Sequence, residues 1–185
     1  MWGMEVVTRM AVRQGADVLA SAAAGDEIAF RRIIAAHHED MRRVCAYIIG
    51  DLSTADEAVQ AAWAVAWKRL RDVREPRHLK PWLMRVAANE AKQLLRKRRT
   101  RAKFEVATVA SEEPGGRDPA TGVTGLDLRE AISRLNADDR ALIAMRYVAG
   151  FDSSELAIAT GKSPAAVRQR LKRLLDRLRE DLTDG

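Results

Sequence analysis

The sequence predicts an all-α fold of two small helical domains joined by a flexible linker, the C-terminal one a helix-turn-helix. Apolar residues make up 47% of the 185 residues and aromatic residues only 5%, which favours helical packing over a β-rich core. Apolar positions recur at helical spacing on both sides of residues 104–126. That segment clusters Gly, Pro and acidic residues without periodicity, as a flexible acidic linker does.

Residues 1–25 are expected to form a loosely ordered N-terminal extension that frays into a helix. Their short Ala-rich part is interrupted by Asp17, which disfavours a signal peptide. The chain has no run of about 18 apolar residues, so we expect no membrane insertion and a cytoplasmic location. The net charge of +6 and the pI near 9.9 are compatible with a polyanionic partner.

The first domain is predicted to span residues 26–103 and to contain three helices. The first helix begins at Asp26, carries a long apolar stripe and is closed by Gly50. The second starts near Ser53 and the third around Pro81, because proline is favoured in the first turn of a helix. Residues 71–78 form a polar connection between the second and third helices.

Buried aromatic residues and a buried thiol are expected in this domain, and a metal site is not. Cys45 lies at an apolar helical position, and with His37 and His38 it lacks the number and spacing of zinc ligands. We therefore predict no metal and no cofactor. The tryptophans expected in the core are Trp63, Trp67 and Trp82.

The second domain is predicted to span residues 127–185. A short helix is expected over about 127–135, and a second from about residue 137 to Ala149, closed by Gly150.

Two further helices then follow in the pattern of a helix-turn-helix. Asp152 and Glu155 form a capping box that would start the first of them. Gly161 can adopt the left-handed conformation that a tight turn needs, and Ser163 then caps a helix with Pro164 at its first position.

The last helix divides into a core face and a polar outer face. Its core face contains Val167, Leu171, Leu174 and Leu178. Its outer face, here called the reading face, contains Ala165, Ala166, Arg168, Gln169, Lys172 and Arg173. Arg can bind guanine and Gln adenine through paired hydrogen bonds, while other cations contact phosphates. These charges could also be merely solvated, but the caps and turn in register favour DNA binding.

The outward faces of the second and third helices differ in charge. The second presents Asp56, Glu57 and Gln60, here called the docking face. The third presents Arg85, Asn89, Lys92 and Arg96 in one line, here called the basic stripe. A cationic line of this kind can follow a phosphate backbone, and an Asn within it can hydrogen-bond a base or sugar.

Three segments resemble regions two and four of the bacterial extracytoplasmic-function RNA polymerase sigma factors of the sigma-70 superfamily. They are "ADEAVQAAWAVAWKRL" (55–70), "PWLMRVAANEAKQLLRKRR" (81–99) and "LNADDRALIAMRYVAGFDSSELAIATGKSPAAVRQRLKRLLDRLR" (135–179). The resemblance covers nearly all of residues 26–179, and the order of the segments is more specific than any one of them.

The resemblance implies a sigma factor that binds core RNA polymerase, recognises the −10 and −35 elements of promoter DNA and promotes transcription initiation. The docking face would contact the clamp helices of the largest polymerase subunit, with Asp and Glu in the reverse of the family's usual order. Asn89 and residues 71–80 would lie by the −10 element, where a base is flipped out. The −35 contacts would fall on Arg146 and the reading face, whose Ala165, Ala166 and Gln169 replace the usual residues.

Family members are often held inactive by an anti-sigma factor, which is therefore a candidate partner. The alternative function is a stand-alone helix-turn-helix transcriptional regulator that dimerises on palindromic sites, but no clear dimerisation helix remains for it. A nucleic-acid-modifying enzyme is the third possibility. No P-loop, nucleophile elbow or pair of catalytic carboxylates appears, so the chain is not expected to be an enzyme.

Overall fold

The structure is a computed structural model that describes residues 15–106 and 123–183, with side chains given for residues 15–101 and 128–182. Within these residues the fold is helical and no strand is present, which confirms the predicted fold class. The first module contains α1 (residues 15–23), α2 (Glu27–Ile49), α3 (Leu52–Arg69) and α4 (Pro76–Val106). The second contains α5 (Val123–Arg134), α6 (Ala137–Ile143), α7 (Ser153–Thr160) and α8 (Pro164–Thr183).

The bounds of α2 follow from its two capping residues, of which the sequence predicted Gly50. The Asp26 carboxylate accepts hydrogen bonds from the backbone N–H groups of Ile28 and Ala29 at 2.8 and 3.1 Å. At the other end Gly50 has φ 88°, a left-handed conformation that favours glycine. Asp51 then caps α3 by accepting from the Thr54 N–H at 2.8 Å, so α3 begins slightly before the predicted start.

The third helix begins earlier than predicted, at Pro76 instead of Pro81. Either proline could occupy the first turn of a helix, so this preference does not choose between them. In the structure Pro76 begins the helix and Pro81 lies inside it. A short 3₁₀ turn over Leu70–Asp72 precedes α4. The predicted connection therefore shrinks to residues 73–75, and its remaining residues are helical.

The predicted N-terminal extension is in part a packed element. Residues 15–23 form α1, whose Leu19 and Ala22 are 4% and 3% exposed and join the same buried cluster as Phe30 of α2. Burial of these two apolar side chains accounts for a helix where the sequence suggested loose order. Residues 1–14 lie outside the described residues.

Most of the predicted linker also lies outside the described residues, which omit 107–122. The helix α4 reaches Val106 and α5 begins at Val123, so both helices extend into the predicted linker range of 104–126.

The second module departs from regular α-helix between α6 and α7. The predicted helix to Ala149 ends as an α-helix at Ile143 and continues as a wide π turn over Ala144–Val148. In this turn the Ala149 N–H donates to the Ala144 carbonyl at 3.1 Å, five residues back. The turn places Phe151 in the core at 1% exposure.

The two modules pack on each other, which the sequence did not predict. Helix α7 contacts α4, and α2 contacts both α6 and the π turn. One buried cluster contains Leu83 and Met84 of α4 together with Phe151 and Leu156 of the second module. The two modules thus share a hydrophobic core. A smaller cluster between α5 and α8 lies within the second module.

The prediction for one tryptophan is wrong. Trp63 and Trp82 are buried at 9% and 6% exposure, whereas Trp67 is 40% exposed. Trp67 still packs against Phe30, with ring centroids 4.8 Å apart and planes at 62°. It therefore covers the edge of the core instead of filling it.

Candidate polymerase and nucleic-acid interfaces

The docking face lies on α3, on the side away from the core. Asp56, Glu57 and Gln60 are all exposed. The opposite face of α3 buries Ala55, Ala58, Val59, Ala62 and Trp63. Because α3 is fixed by this packing and by its Asp51 cap, it holds two carboxylates and an amide in one rigid exposed array.

The basic stripe lies on α4, and its residues differ in exposure and in their contacts with the second module. Arg85, Asn89 and Arg96 are exposed. Lys92 is half-buried, with 22% of its side chain exposed, and its Nζ lies 2.9 Å from Oδ1 of Asp138 on α6. This hydrogen bond holds the pKa of the Asp138 carboxyl below its ordinary value, and the nearby charges of Arg170 and Arg96 lower it further.

Helix α4 is fixed from behind by α2. The Cys45 thiol donates to the Ala87 carbonyl at 3.5 Å, and Cys45 is fully buried. Burial raises the pKa of this thiol to about 12, with a smaller contribution from the charge of Glu90. Cys45 is therefore the buried structural thiol that its position predicted.

The residues before the stripe are paired locally instead of lining an open loop. Arg69 Nε lies 3.0 Å from Asp72, and Arg77 Nε lies 2.7 Å from Glu75. The predicted base-binding loop of residues 71–80 is thus mostly helical and ion-paired in this structure.

The turn that presents the reading face has the predicted hydrogen bonds. The Asp152 carboxylate accepts from the backbone N–H groups of Ser154 and Glu155 at 2.7 and 2.8 Å. In turn, the Glu155 carboxylate accepts from the Asp152 N–H at 2.9 Å. Gly161 has φ 68°, and the Ala166 N–H donates to Ser163 Oγ at 3.2 Å. Capping box, left-handed glycine and second cap are confirmed.

The reading face is exposed along the first half of α8. Ala165, Ala166, Arg168, Gln169, Lys172 and Arg173 are all exposed. Val167, Leu171, Leu174 and Leu178 are buried beneath them, as predicted. The small side chains of Ala165 and Ala166 leave the helix N-terminus uncovered, which suits entry into a major groove.

One arginine on α8, which the sequence did not single out, anchors the reading face. Arg170 donates to Asp139 Oδ1 from Nε at 3.0 Å and from Nη2 at 2.7 Å. Asp139 is 7% exposed and accepts a further bond from Asn136 Nδ2 at 2.7 Å. The pair ties α8 to α6, so a partly buried ion pair helps to fix the direction of the reading face.

Arg146, the remaining residue of the predicted −35 set, is exposed but partly engaged. Its Nη1 donates to the Phe151 carbonyl at 2.7 Å and so closes the π turn.

In the part of the chain that the structure describes, no group of three or more His, Cys, Asp or Glu residues could hold a metal ion. Over the same residues no helix is long and apolar enough to span a membrane.

Comparison with known proteins agrees with the two-module architecture. Residues 33–101 match the family model "Sigma-70 region 2", and residues 125–178 match "Sigma-70, region 4". Together the two matches cover more than half of the chain. CarQ of Myxococcus xanthus, an RNA polymerase sigma factor, is 31% identical over 84% of this chain and 90% of CarQ. The chain belongs to the sigma-70 family of RNA polymerase sigma factors.

Other relatives place this sigma factor in the extracytoplasmic-function (ECF) group. The ECF RNA polymerase sigma factor SigM of Mycobacterium tuberculosis is 27% identical over 90% of this chain and 83% of SigM. The probable RNA polymerase sigma factor RfaY of Xanthomonas campestris is 31% identical over 89% of this chain, although the chain spans only 43% of RfaY. The solved structure of CnrH with the cytosolic domain of CnrY matches 92% of this chain and 97% of CnrH, with TM-score 0.68 and 25% identity.

Proposed function

We propose that this sigma factor binds core RNA polymerase, directs it to promoters with −10 and −35 elements, and promotes transcription initiation. The observation that carries the proposal is the presence of both sigma-70 regions, in order, on one chain with three exposed polar faces. One face is acidic and polar, and the other two are basic. A stand-alone regulator that only binds duplex DNA has little use for the acidic face.

The docking face is proposed to bind the polymerase. Asp56 and Glu57 are exposed carboxylates on a rigid helix, and they carry negative charge on a chain whose net charge is +6. Opposite charges across an interface accelerate association and select the partner. The partner surface is therefore expected to be basic, and the family resemblance assigns it to the clamp helices.

The basic stripe is proposed to bind the single strand of the −10 element. Arg85 and Arg96 are exposed cations for backbone phosphates, and Asn89 between them can donate to and accept from a base or sugar. Extraction of a base from the duplex costs a few kcal/mol, which contacts along this stripe would have to offset.

The reading face is proposed to bind the −35 element in the major groove. Arg168 and Gln169 can read base edges, while Lys172, Arg173 and Arg146 would contact phosphates. Ala165 and Ala166 offer only small apolar contacts, of the kind that a thymine methyl group accepts. This pattern favours a −35 element with guanine or adenine opposite the two polar side chains.

Chemistry, location and regulation follow from the same proposal. The polymerase supplies the catalytic groups, so this chain is not an enzyme. It acts where polymerase and promoter meet, in the cytoplasm. A sigma factor of similar fold, RpoE, was solved in complex with the anti-sigma factor NepR from Bartonella quintana, which supports an anti-sigma factor as a further partner for this chain.

A run-off transcription assay tests the proposed function. The full chain is added to purified core RNA polymerase with genomic fragments upstream of its own and neighbouring genes. We expect transcripts with defined start sites that require the chain. A stand-alone regulator would instead bind a duplex operator tightly without polymerase. Absence of any chain-dependent transcript would overturn the proposal.

A further inference from the structure

An open pocket of about 350 Å³, here called the α3 pocket, lies in the first module beside the end of α3. One wall is formed by residues 22–25, the end of α1 and the turn into α2. The other wall is formed by Trp67, Lys68 and Arg71. Small-ligand sites occupy roughly 300–1,000 Å³, so this pocket suits a ligand about the size of one nucleotide.

Trp67 brings an uncovered aromatic surface to the α3 pocket. Its side chain is 40% exposed, whereas Trp63, one turn earlier on the same helix, is 9% exposed. Phe30 packs against the Trp67 ring with centroids 4.8 Å apart and planes at 62°, an edge contact that leaves ring surface open. Exposed aromatic rings of this kind are platforms on which unpaired bases stack, with little dependence on sequence.

Two cations without acidic partners flank the ring. Lys68 and Arg71 are both exposed and lie three residues apart. Arg69 between them pairs with Asp72 at 3.0 Å, but in the part of the chain that the structure describes neither Lys68 nor Arg71 forms an ion pair. Asp26, which follows the turn of the opposite wall, is engaged as the cap of α2. A phosphate between the two cations would therefore meet no competing carboxylate and would relieve their mutual repulsion.

The wall opposite Trp67 leaves room for a flat ring. It consists of Ala22, Ala23, Ala24 and Gly25, which have small side chains or none. Gly25 has φ 101°, a left-handed conformation that favours glycine, and a Cβ built there would have no other atom within 4 Å. A base can therefore approach the Trp67 ring from this side without displacing a side chain.

We propose that the α3 pocket binds one unpaired nucleotide of single-stranded DNA, with its base stacked on Trp67 and its phosphate between Lys68 and Arg71. This proposal rests on the proposed function, in which the duplex opens beside the first module. The nucleotide is additional to the base or sugar that Asn89 of the basic stripe would bind.

The path of the chain brings the pocket and the basic stripe into one rigid module. The 3₁₀ turn and residues 73–75 join α3 to α4. Arg85, the first residue of the stripe, follows Pro76 by nine residues, about 14 Å of helix. A single strand only a few nucleotides long can span this distance, so one strand can contact the stripe and also enter the pocket.

Binding of a short single-stranded oligo(dA) by the full chain, followed by fluorescence anisotropy of a dye on the oligonucleotide, tests the pocket without polymerase. Trp67→Leu should weaken binding roughly 5- to 150-fold, the effect of losing one stacked base. Trp67→Phe keeps a ring for stacking and for the contact with Phe30, so it should recover most of the affinity. Equal losses in the two variants, or no binding by the unmodified chain at low salt, would overturn the proposal.

The two cations are tested by the salt dependence of the same binding. Lys68→Gln with Arg71→Gln should reduce the slope of log affinity against log salt by about 0.7, the value for one phosphate of a single strand. Arg31→Gln with Arg69→Gln removes the same charge at exposed positions outside the pocket and should leave the slope unchanged. If the two double variants behave alike, the pocket does not hold a phosphate.

A free nucleotide has the same chemistry as one nucleotide of a strand, and competition with dAMP distinguishes the two sources. A strand also contacts the basic stripe, so we expect dAMP to displace oligo(dA) only at concentrations at least a hundredfold above the Kd of the oligonucleotide. Equal affinities of dAMP and oligo(dA) would overturn single-stranded DNA as the ligand.

Photochemical cross-linking tests the pocket in the promoter complex. Iodouracil is placed at one position at a time in the non-template strand, the complex with core polymerase is irradiated, and the adducts are mapped by mass spectrometry. We expect an adduct on Trp67 from one position or two adjacent ones. Adducts on other residues but never on Trp67 would overturn the proposal. If the unmodified chain forms no promoter complex, the proposed function fails, while the oligo(dA) measurements still decide the pocket.

Discussion

The ion pair beneath the reading face gives the sharpest test of how the fold holds α8. In Arg170→Ala, the Asp139 carboxylate loses the donors at 3.0 and 2.7 Å and keeps only the Asn136 side-chain bond at 2.7 Å. Asp139 is 7% exposed, so little water can replace the guanidinium. The variant therefore leaves a buried charge without its counter-ion.

The magnitude follows from the burial of the two partners. Removal of one partner of a fully buried ion pair costs about 3–5 kcal/mol. The Arg170 side chain is 37% exposed, so solvent screens part of the interaction and we expect a loss of about 2 kcal/mol. For a chain of this length that corresponds to a fall in Tm of roughly 4–8 °C.

Thermal and urea denaturation at neutral pH measure this loss, and a double-mutant cycle isolates its cause. Asp139→Asn removes the buried charge, so the loss caused by Arg170→Ala should shrink by more than about 1 kcal/mol in that background. Arg168→Ala, two residues away on the exposed face, should change stability by less than about 0.5 kcal/mol. Additive effects at Arg170 and Asp139 would refute the view that the pair holds α8.

Four further predictions concern the exposed faces and the buried thiol. Arg168→Ala should lower transcription from promoters that depend on the −35 element by roughly 5- to 150-fold, with polymerase binding unchanged, since a bidentate base contact provides about 1–3 kcal/mol. Asp56→Lys with Glu57→Lys should weaken binding to core polymerase, as measured by co-elution, and retained binding would contradict the docking face. Cys45 should react with Ellman's reagent roughly a thousandfold more slowly than a free cysteine, because burial raises its pKa to about 12. Since the folded state binds this proton more tightly than the unfolded chain, stability should decline as pH rises above about 9.

Matched variants separate these effects from general changes in charge. Arg177→Ala removes an exposed cation from the second half of α8, away from the reading face, and should leave transcription near that of the unmodified chain. Asp17→Lys with Glu180→Lys changes the net charge as much as the docking-face variant does, at exposed positions elsewhere. Polymerase binding should survive this second change.

Local sequence rules predicted the boundaries that depend on neighbouring residues. The left-handed Gly50 and Gly161 and the capping box of Asp152 and Glu155 all lie where the sequence predicted them. Each involves hydrogen bonds between residues no more than four apart, so a short window of sequence contains all the information.

The features that sequence reasoning missed depend on contacts between distant residues. Asp138 pairs with Lys92, which is 46 residues earlier. An amphipathic pattern shows that a face is buried but not which surface covers it, so the shared core was not predictable. The start of α4 was missed for another reason: Pro76 and Pro81 satisfy the same rule, and the sequence offers no means of choosing between them.

The Lys92–Asp138 pair also bears on how ionic strength acts on the promoter complex. A lysine that moves from solvent to a phosphate releases about 0.9 of a condensed counterion, and this release makes DNA affinity fall as salt rises. Lys92 begins with Asp138 as its counterion, and its transfer to DNA leaves a carboxylate that attracts a cation from solution. The exchange is nearly neutral, so Lys92 should add little to the logarithmic salt slope. A salt titration of DNA binding would then detect counterion release by Arg85 and Arg96 of the basic stripe, but not by Lys92 between them.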